Sequence, residues 1–344
     1  MTKTRILIVD DSPLIRQVLV DMLEREDDIE IVGLAKNGEE AISFAKDLRP
    51  DVVTLDIEMP KVDGIAALSQ IMQLAPTRVV MVSTRTSAGA EATIEALDKG
   101  AVDFVCKPRS GSFMALREVQ QELLCKIRSA RTAVIQTAAR PPVRAADLGR
   151  STDRTVVIAT STGGPKALTT LFETLPKNWA VPVAIVQHMP IGFTASLAAR
   201  LDKIGAMEVR EAKDGDQLKP GLALVAPGGS HMRMVDGKRI ELFDGPSIHG
   251  VKPAADHLFN SAAAQLGKKC VGAVLTGMGR DGAAGALAIK EAGGIVLGEA
   301  SSTCTIYGMP RAALEIGAIA SEYPIYEIGH ALVATAAGRL KNAA

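Results

Sequence analysis

Short apolar runs, each closing on a polar or acidic residue and each followed by apolar residues at helical spacing, recur along nearly the whole chain. The first run, Ile6 to Val9, ends in Asp10 and Asp11, and Leu14, Ile15, Val18, Leu19, Met22 and Leu23 then fall on one helical face. The same pattern predicts strands at Glu30–Ala35, Val52–Asp56, Val79–Val82 and Phe104–Cys106. It predicts helices from Gly38, after Gly64, over Ala90–Gly100 and from Phe113. Strands that alternate with helices in this way form a parallel sheet covered on both faces, so the fold class is α/β and doubly wound.

The alternation resumes later, with predicted strands at Thr155–Thr160, Val181–Gln187, Leu222–Pro227, Cys270–Gly277 and Gly294–Gly298. Met232–Val235 and Arg239–Phe243 flank an Asp236-Gly237 pair and read as an antiparallel hairpin with a type I′ turn. A length of 344 residues also favours two domains. The first, residues 1–124, carries 14 basic against 21 acidic side chains, whereas residues 125–150 carry six against one and contain two adjacent prolines. That middle stretch has no aromatic residue and reads as the tail of a helix running into a solvated tether. Residues 151–344 form a second, larger α/β domain. Its charge is nearly balanced, which argues against a nucleic-acid partner. No apolar run of about 18 residues is present to insert in a membrane, and no signal peptide is evident, so a cytoplasmic protein is expected. The four cysteines are scattered and form no metal or disulfide pattern.

The residues that close the strands carry the chemistry. In the first domain Asp10, Asp11, Asp56, Ser83 and Lys107 fall at the carboxyl ends of strands, the rim where open α/β sheets bind ligands. Carboxylates gathered on one rim repel unless a cation joins them, and an all-oxygen cage suits Mg²⁺. A lysine opposite can pair with a phosphoryl group, and a carboxylate can itself accept one as an acyl phosphate. Through ILIVDDS, LDIEMPKVDG, MVST and DFVCKP the first domain resembles the receiver domain of two-component response regulators nearly end to end. The resemblance implies that Asp56 is the phosphoacceptor. It implies that Asp11, Asp56 and the Glu58 carbonyl hold Mg²⁺, with Asp10 helping through water. Lys107 would contact the phosphoryl group, Ser83 would be the switch hydroxyl and Phe104 the coupled aromatic.

In the second domain Ser161 lies between a strand and a helix whose first turn suits Pro165, His188 follows another strand and Asp281 a third. A serine hydroxyl needs a base, an imidazole needs a carboxylate, and this rim offers one of each. Thr160 and Thr162 are competing hydroxyls. A different reading comes from Gly277, Gly279 and Gly282, which make a G-x-G-x-x-G between strand and helix with Glu299 ending the next strand, the outline of a dinucleotide site. An oxidoreductase of that kind, and a receiver-controlled binding protein, are the alternatives. The α/β-hydrolase pattern is excluded, because it requires G-x-S-x-G and the order Ser, acid, His.

STGGP, QHMP, LVAPGGSHM, KPAADHLF, LTGMGRDGAAG and YGMP, in that order across residues 151–344, resemble the catalytic domain of chemotaxis protein-glutamate methylesterases. Ala159-Thr160 before the serine departs from the usual Gly-Ala. The resemblance implies a serine hydrolase that demethylates glutamate methyl esters on chemoreceptors with release of methanol, and that also deamidates receptor glutamines. Ser161 would be nucleophile, His188 base then acid, Asp281 the orienting carboxylate and the Met278 amide the oxyanion donor. His231 would shape the cleft. No cofactor is implied for this domain. The implied partners are methyl-accepting chemoreceptors and a chemotaxis histidine kinase, whose phosphorylation of the receiver would relieve inhibition of the catalytic cleft.

Overall fold

The computed structural model describes residues 2–84, 86–107, 113–135, 145 and 153–339. Contacts divide the chain into two units, Met1–Thr137 and Ala138–Ala344.

The first unit runs β1 (Thr4–Val9), α1 (Pro13–Leu23), β2 (Ile29–Ala35), α2 (Gly38–Leu48), β3 (Val52–Asp56), α3 (Gly64–Leu74), β4 (Arg78–Ser83), α4 (Ser87–Asp98), β5 (Asp103–Cys106) and α5 (Phe113–Thr132). Its sheet is parallel, in the order β2-β1-β3-β4-β5. The central strands are buried on both faces, as a sheet with helices on each side requires. Strand-to-helix turns are closed by side-chain caps: Ser12 accepts from the Ile15 amide, Asn37 from Glu40, Asp63 from Ala66 and Thr86 from Gly89. The cap at Thr86 starts α4 earlier than the apolar spacing from Ala90 predicts.

The linker expected from residue 125 begins later. Leu123, Ile127 and Ala130 are fully buried at helical spacing, so α5 continues through the proposed boundary to Thr132. The basic side chains there serve this unit. Lys126 lies between Asp103 and Glu122, and Arg128 pairs with Glu26 and Asp28. The remainder of the expected tether, apart from residues 133–135 and Ala145, lies outside the described residues.

The second unit runs β6 (Thr155–Thr160), α6 (Gly164–Thr174), β7 (Val183–Gln187), α7 (Phe193–Asp202), β8 (Glu208–Glu211), β9 (Leu222–Val225), β10 (His231–Val235), β11 (Arg239–Phe243), α8 (Ala255–Leu266), β12 (Cys270–Val274), α9 (Ala283–Glu291), β13 (Ile295–Glu299), α10 (Met309–Glu315), β14 (Ser321–Tyr323) and α11 (Ile325–Ala336). Seven parallel strands follow the order β14-β13-β12-β6-β7-β9-β8. β10 and β11 form the separate antiparallel hairpin, and Asp236 and Gly237 both have positive φ, as a type I′ turn demands. Strand order reverses between β6 and β12, and the reversal opens a crevice at their carboxyl ends. Two strands escape the sequence pattern. β8 and β14 are short polar edge strands, and β14 buries no residue fully. Among the described residues no helix is long and apolar enough to cross a membrane.

Candidate functional site

On the first unit's rim, the order reversal lies between β1 and β3, and it brings Asp10, Asp11 and Asp56 together with oxygens within 4.8 Å of one another. Lys107, just past β5, places Nζ 2.7 Å from Asp56 Oδ2 and 3.0 Å from Asp10 Oδ2. Asp10 Oδ2 is buried and has no hydrogen-bond partner among the described residues, and the Lys107 ammonium meets it as an ion pair. Burial pushes the Asp56 carboxyl up to about 6, the Asp10 charge adds to this, and the hydrogen bond and charge of Lys107 oppose it. Three carboxylates facing one ammonium leave uncompensated negative charge, and the oxygen-only donor set fits Mg²⁺. The Glu58 amide donates to Asp56 Oδ1 at 3.3 Å, so the chain past β3 folds back over the acid.

Ser83 is fully buried and its hydroxyl turns toward α4, 2.8 Å from Thr93 Oγ1 and donating to the Gly89 carbonyl at 3.2 Å. It is not brought to Asp56 in this arrangement. Phe104 is buried too, with Lys126 Nζ 4.9 Å from its ring centroid and bonded to its carbonyl.

The second rim assembles Ser161, His188 and Asp281 around the crevice between β6 and β12, with β7 on the far side of β6. Ser161 opens the turn from β6 into α6, where Gly163 takes φ 78°. A side chain at Gly163 would also meet Thr305, and one at Gly277 would lie 2.7 Å from Ser161 Cβ and 2.4 Å from Met309 Sδ. The loop of residues 277–281 therefore packs directly on the serine. Of the three neighbouring hydroxyls, Thr160 is fully buried and donates to the Thr276 carbonyl, and Thr162 is buried, which leaves Ser161 the partly exposed one.

His188 Nε2 lies 2.7 Å from Asp281 Oδ2. The same carboxylate accepts from the Ala255 amide at 2.6 Å and the Asp256 amide at 3.1 Å, at the start of α8. Burial pushes the Asp281 carboxyl up, but the His188 hydrogen bond and charge and the two amides outweigh it and leave the group below its ordinary value. Asp281 is ionised at neutral pH. With Nε2 turned to the acid, Nδ1 is the ring nitrogen that Asp281 does not engage. Among the described residues Ser161 Oγ makes no hydrogen bond to His188, and a serine–histidine contact of this kind commonly tightens only with substrate bound.

Supporting residues absent from the sequence reading complete the frame. Gln187 Nε2 donates to the carbonyls of both Ser161 and His188, at 3.0 and 3.1 Å. Thr276 accepts the Ser161 amide on its carbonyl and donates its hydroxyl to the Thr162 carbonyl. The signal for both was their position at strand ends, but nothing local shows what they hold. His231 is fully buried, with Nδ1 accepting from the Ala254 amide and Nε2 donating to the Pro246 carbonyl. It supports the start of α8, and hence the amides on Asp281. Glu299 does not await a ribose: it is buried, and its carboxyl accepts from the Thr276 amide and the Thr303 hydroxyl. The dinucleotide reading thereby loses its acid.

Comparison with known proteins gives a matching answer over the whole chain. The CheB methylesterase family model matches residues 156–332 and the response regulator receiver domain model residues 6–116. A protein-glutamate methylesterase/protein-glutamine glutaminase of Symbiobacterium thermophilum is 45% identical over 95% of this chain and 96% of its own length. The enzyme of that name from Thermotoga maritima is 44% identical over 96% and 97%. The crystal structure of the Thermotoga maritima CheB methylesterase catalytic domain superposes with a TM-score of 0.51 and 41% identity, covering 53% of this chain and 98% of that domain.

Proposed function

We propose a reaction from one premise: this chain belongs to the protein-glutamate methylesterase/protein-glutamine glutaminase family, in which a receiver domain precedes a CheB methylesterase domain. It is a hydrolase that removes methyl esters from glutamate side chains and deamidates glutamine side chains under response-regulator control. Its substrates are methyl-accepting chemoreceptors, its phosphodonor is a chemotaxis histidine kinase, and it works in the cytoplasm.

The observation that carries the reading is the crevice that gathers a strand-end serine and a histidine bonded at 2.7 Å to a buried aspartate. Ser161 Oγ attacks the ester carbonyl carbon while its proton passes to His188 Nδ1. The ionised Asp281 stabilises the imidazolium through Nε2, as an orienting carboxylate does without itself taking the proton. The Met278 amide, on the loop packed against Ser161, faces the developing oxyanion. His188 returns the proton to the departing methoxide, and methanol leaves an acyl-enzyme on Ser161. A water deprotonated by the same imidazole attacks that ester, Ser161 takes back its proton, and the glutamate is released. With a glutamine side chain, ammonia departs in place of methanol and the second half is identical.

In the receiver, Asp56 accepts the phosphoryl group and Lys107 pairs with its oxygens. Asp10, Asp11 and Asp56, with the Glu58 carbonyl, would hold Mg²⁺, which when bound offsets the negative charge on this rim. Ser83 has to leave its hydrogen bond to the Gly89 carbonyl to reach a phosphorylated Asp56, and that departure changes α4. Phe104, on the neighbouring strand β5 opposite Met81, adjusts with the change.

The test is methanol release from methylated receptor membranes, with and without a small phosphodonor. The parent protein is expected to respond to the donor, Asp56→Asn to stay at the basal rate, and Ser161→Ala to release none. Substantial turnover by Ser161→Ala overturns the nucleophile, and a donor response in Asp56→Asn overturns the phosphoacceptor.

A further inference from the structure

Among the buried ionisable side chains near the crevice that the mechanism does not use, Glu299 is tied most directly to the nucleophile's turn. Glu299 ends β13, the strand beyond β12, and only 1% of it is exposed. Pairing between β12 and β13 stops at Val274 and Gly298, and the next amide in register on that side, Thr276 N–H, donates to Glu299 Oε2 at 2.8 Å. The carboxyl thus replaces the strand carbonyl that β13 no longer supplies. Its other oxygen accepts from the Thr303 hydroxyl at 3.0 Å, and Thr303 in turn accepts from the Ile325 amide.

Thr276 is the residue through which the nucleophile's turn and the oxyanion loop are joined. Its carbonyl accepts from Ser161 N at 3.0 Å and Thr160 Oγ1 at 3.1 Å, and its hydroxyl donates to the Thr162 carbonyl at 3.0 Å. The next residue, Gly277, begins the loop carrying Met278 and Asp281, pinned by Gly277 N to the Ile306 carbonyl and by Gly308 N and Met309 N to the Gly277 carbonyl. We propose that Glu299 is a positioning residue for the esterase reaction: by holding the Thr276 amide it sets the distance between the Ser161 hydroxyl and the loop that bears the oxyanion donor. Burial pushes its carboxyl up to about 7, and the hydrogen bonds donated by the Thr276 amide and the Thr303 hydroxyl work against that rise. The inference rests on the esterase reading above.

The full-length protein, with phosphodonor present, serves for the test. Glu299→Ala is expected to lower kcat for methanol release about 10- to 100-fold with KM changed less than about twofold, the size of effect that a misplacement near 1 Å produces. Glu299→Gln is expected to regain kcat to within about threefold of the parent, because its oxygen still accepts from Thr276 and its NH₂ can donate to Thr303 Oγ1. The rate at which a fluorophosphonate labels Ser161 should follow kcat across the series, since it reads the serine's geometry without the receptor. The proposal is overturned if Glu299→Ala keeps kcat within twofold, if Glu299→Gln is as slow as Glu299→Ala, or if the loss equals the unfolded fraction in a thermal melt. Should Glu299→Ala not fold, Thr303→Val removes one of the two donors on the carboxyl and should lower kcat about threefold; an unchanged kcat there overturns the proposal equally. Ser161→Ala, run in parallel, separates the two readings: turnover without that hydroxyl defeats the serine mechanism, whatever Glu299 does.

Discussion

Replacing Asp281 by Asn probes the proposed triad and the fold at once. The carboxylate accepts three hydrogen bonds, from His188 Nε2 and the Ala255 amide on Oδ2 and from the Asp256 amide on Oδ1. An asparagine has one acceptor oxygen. Placed toward His188 and Ala255, it leaves its NH₂ facing the Asp256 amide, donor against donor, where Asp256 is 7% exposed and Ala255 fully buried. A buried donor left unpaired costs roughly 1–3 kcal/mol. For a unit of this size about 2 kcal/mol corresponds to a Tm lower by ~4–8 °C. The ring of His188 keeps a partner but loses the charge that balances the imidazolium, so kcat is expected to fall ~10⁴-fold, as for a triad aspartate replaced by asparagine elsewhere. The pH dependence has a definite sign. A carboxyl whose folded value lies below the unfolded one adds stability above the unfolded value of about 4, and that stability is lost as pH falls through the folded value. The stability gap between parent and variant should therefore narrow in acid. Methanol release at pH 7 and thermal melts at pH 7 and below pH 4 measure both arms. A variant within tenfold of the parent in kcat, or one with an unchanged melt at pH 7, refutes the reasoning.

Asp56→Asn should act in the opposite direction on stability. With its carboxyl raised to about 6 in the folded unit, ionisation costs stability as pH rises, so without Mg²⁺ the variant's receiver should be more stable at pH 7 by about 3 kcal/mol, a gain that fades toward pH 4. Urea unfolding in chelator checks this, and a less stable variant at pH 7 defeats it. Gly164→Ala puts a methyl 2.0 Å from Gln187 Oε1 and 2.4 Å from Thr160 Oγ1, two side chains that frame Ser161. It should cost about 1–3 kcal/mol and at least tenfold in kcat, and a fully active, fully stable protein would show that the turn tolerates more than its contacts allow. Because Nε2 faces Asp281, ¹⁵N spectra of the resting protein should show the neutral His188 ring carrying its proton on Nε2, with Nδ1 bare. The reverse tautomer removes Nδ1 as the base.

Much of this was legible because each strand of the two sheets that bears a candidate reactive group closes on a residue too polar for the run before it. Asp56 after Val52–Leu55, Ser161 after Thr155–Thr160 and His188 after Val183–Gln187 stand out from their own strands. The edge strands were not legible, since Glu208–Glu211 and Ser321–Tyr323 are short, polar and packed on one side only. The end of α5 was obscured by charge. Lys126 and Arg128 read as solvated tether, yet Lys126 is held by Asp103 and Glu122 and Arg128 by acids more than 90 residues away in sequence. Separation in sequence also hid the supports of the serine. Thr160 meets Thr276 across 116 positions and Thr276 meets Glu299 across 23, and neither spacing leaves a local pattern.

The two rims follow one topological rule, and their charge explains why only one of them is a switch. On the first, three carboxylates gather and two of them share a single lysine, and the Asp56 carboxyl sits near 6 because burial and Asp10 work against its charge. Such a site has free energy to release when a cation or a phosphoryl group changes the balance, and that differential is what can bias a two-state element. On the second, the Asp281 carboxylate is met by a histidine and two amides and sits below its ordinary value. That carboxylate is already held ionised by its donors before substrate arrives, as a preorganised site requires. Control added at Asp281 would dismantle the chemistry, whereas control added at Asp56 leaves the catalytic residues intact, so a chain that needs both a hydrolase and a switch gains by carrying them on separate sheets.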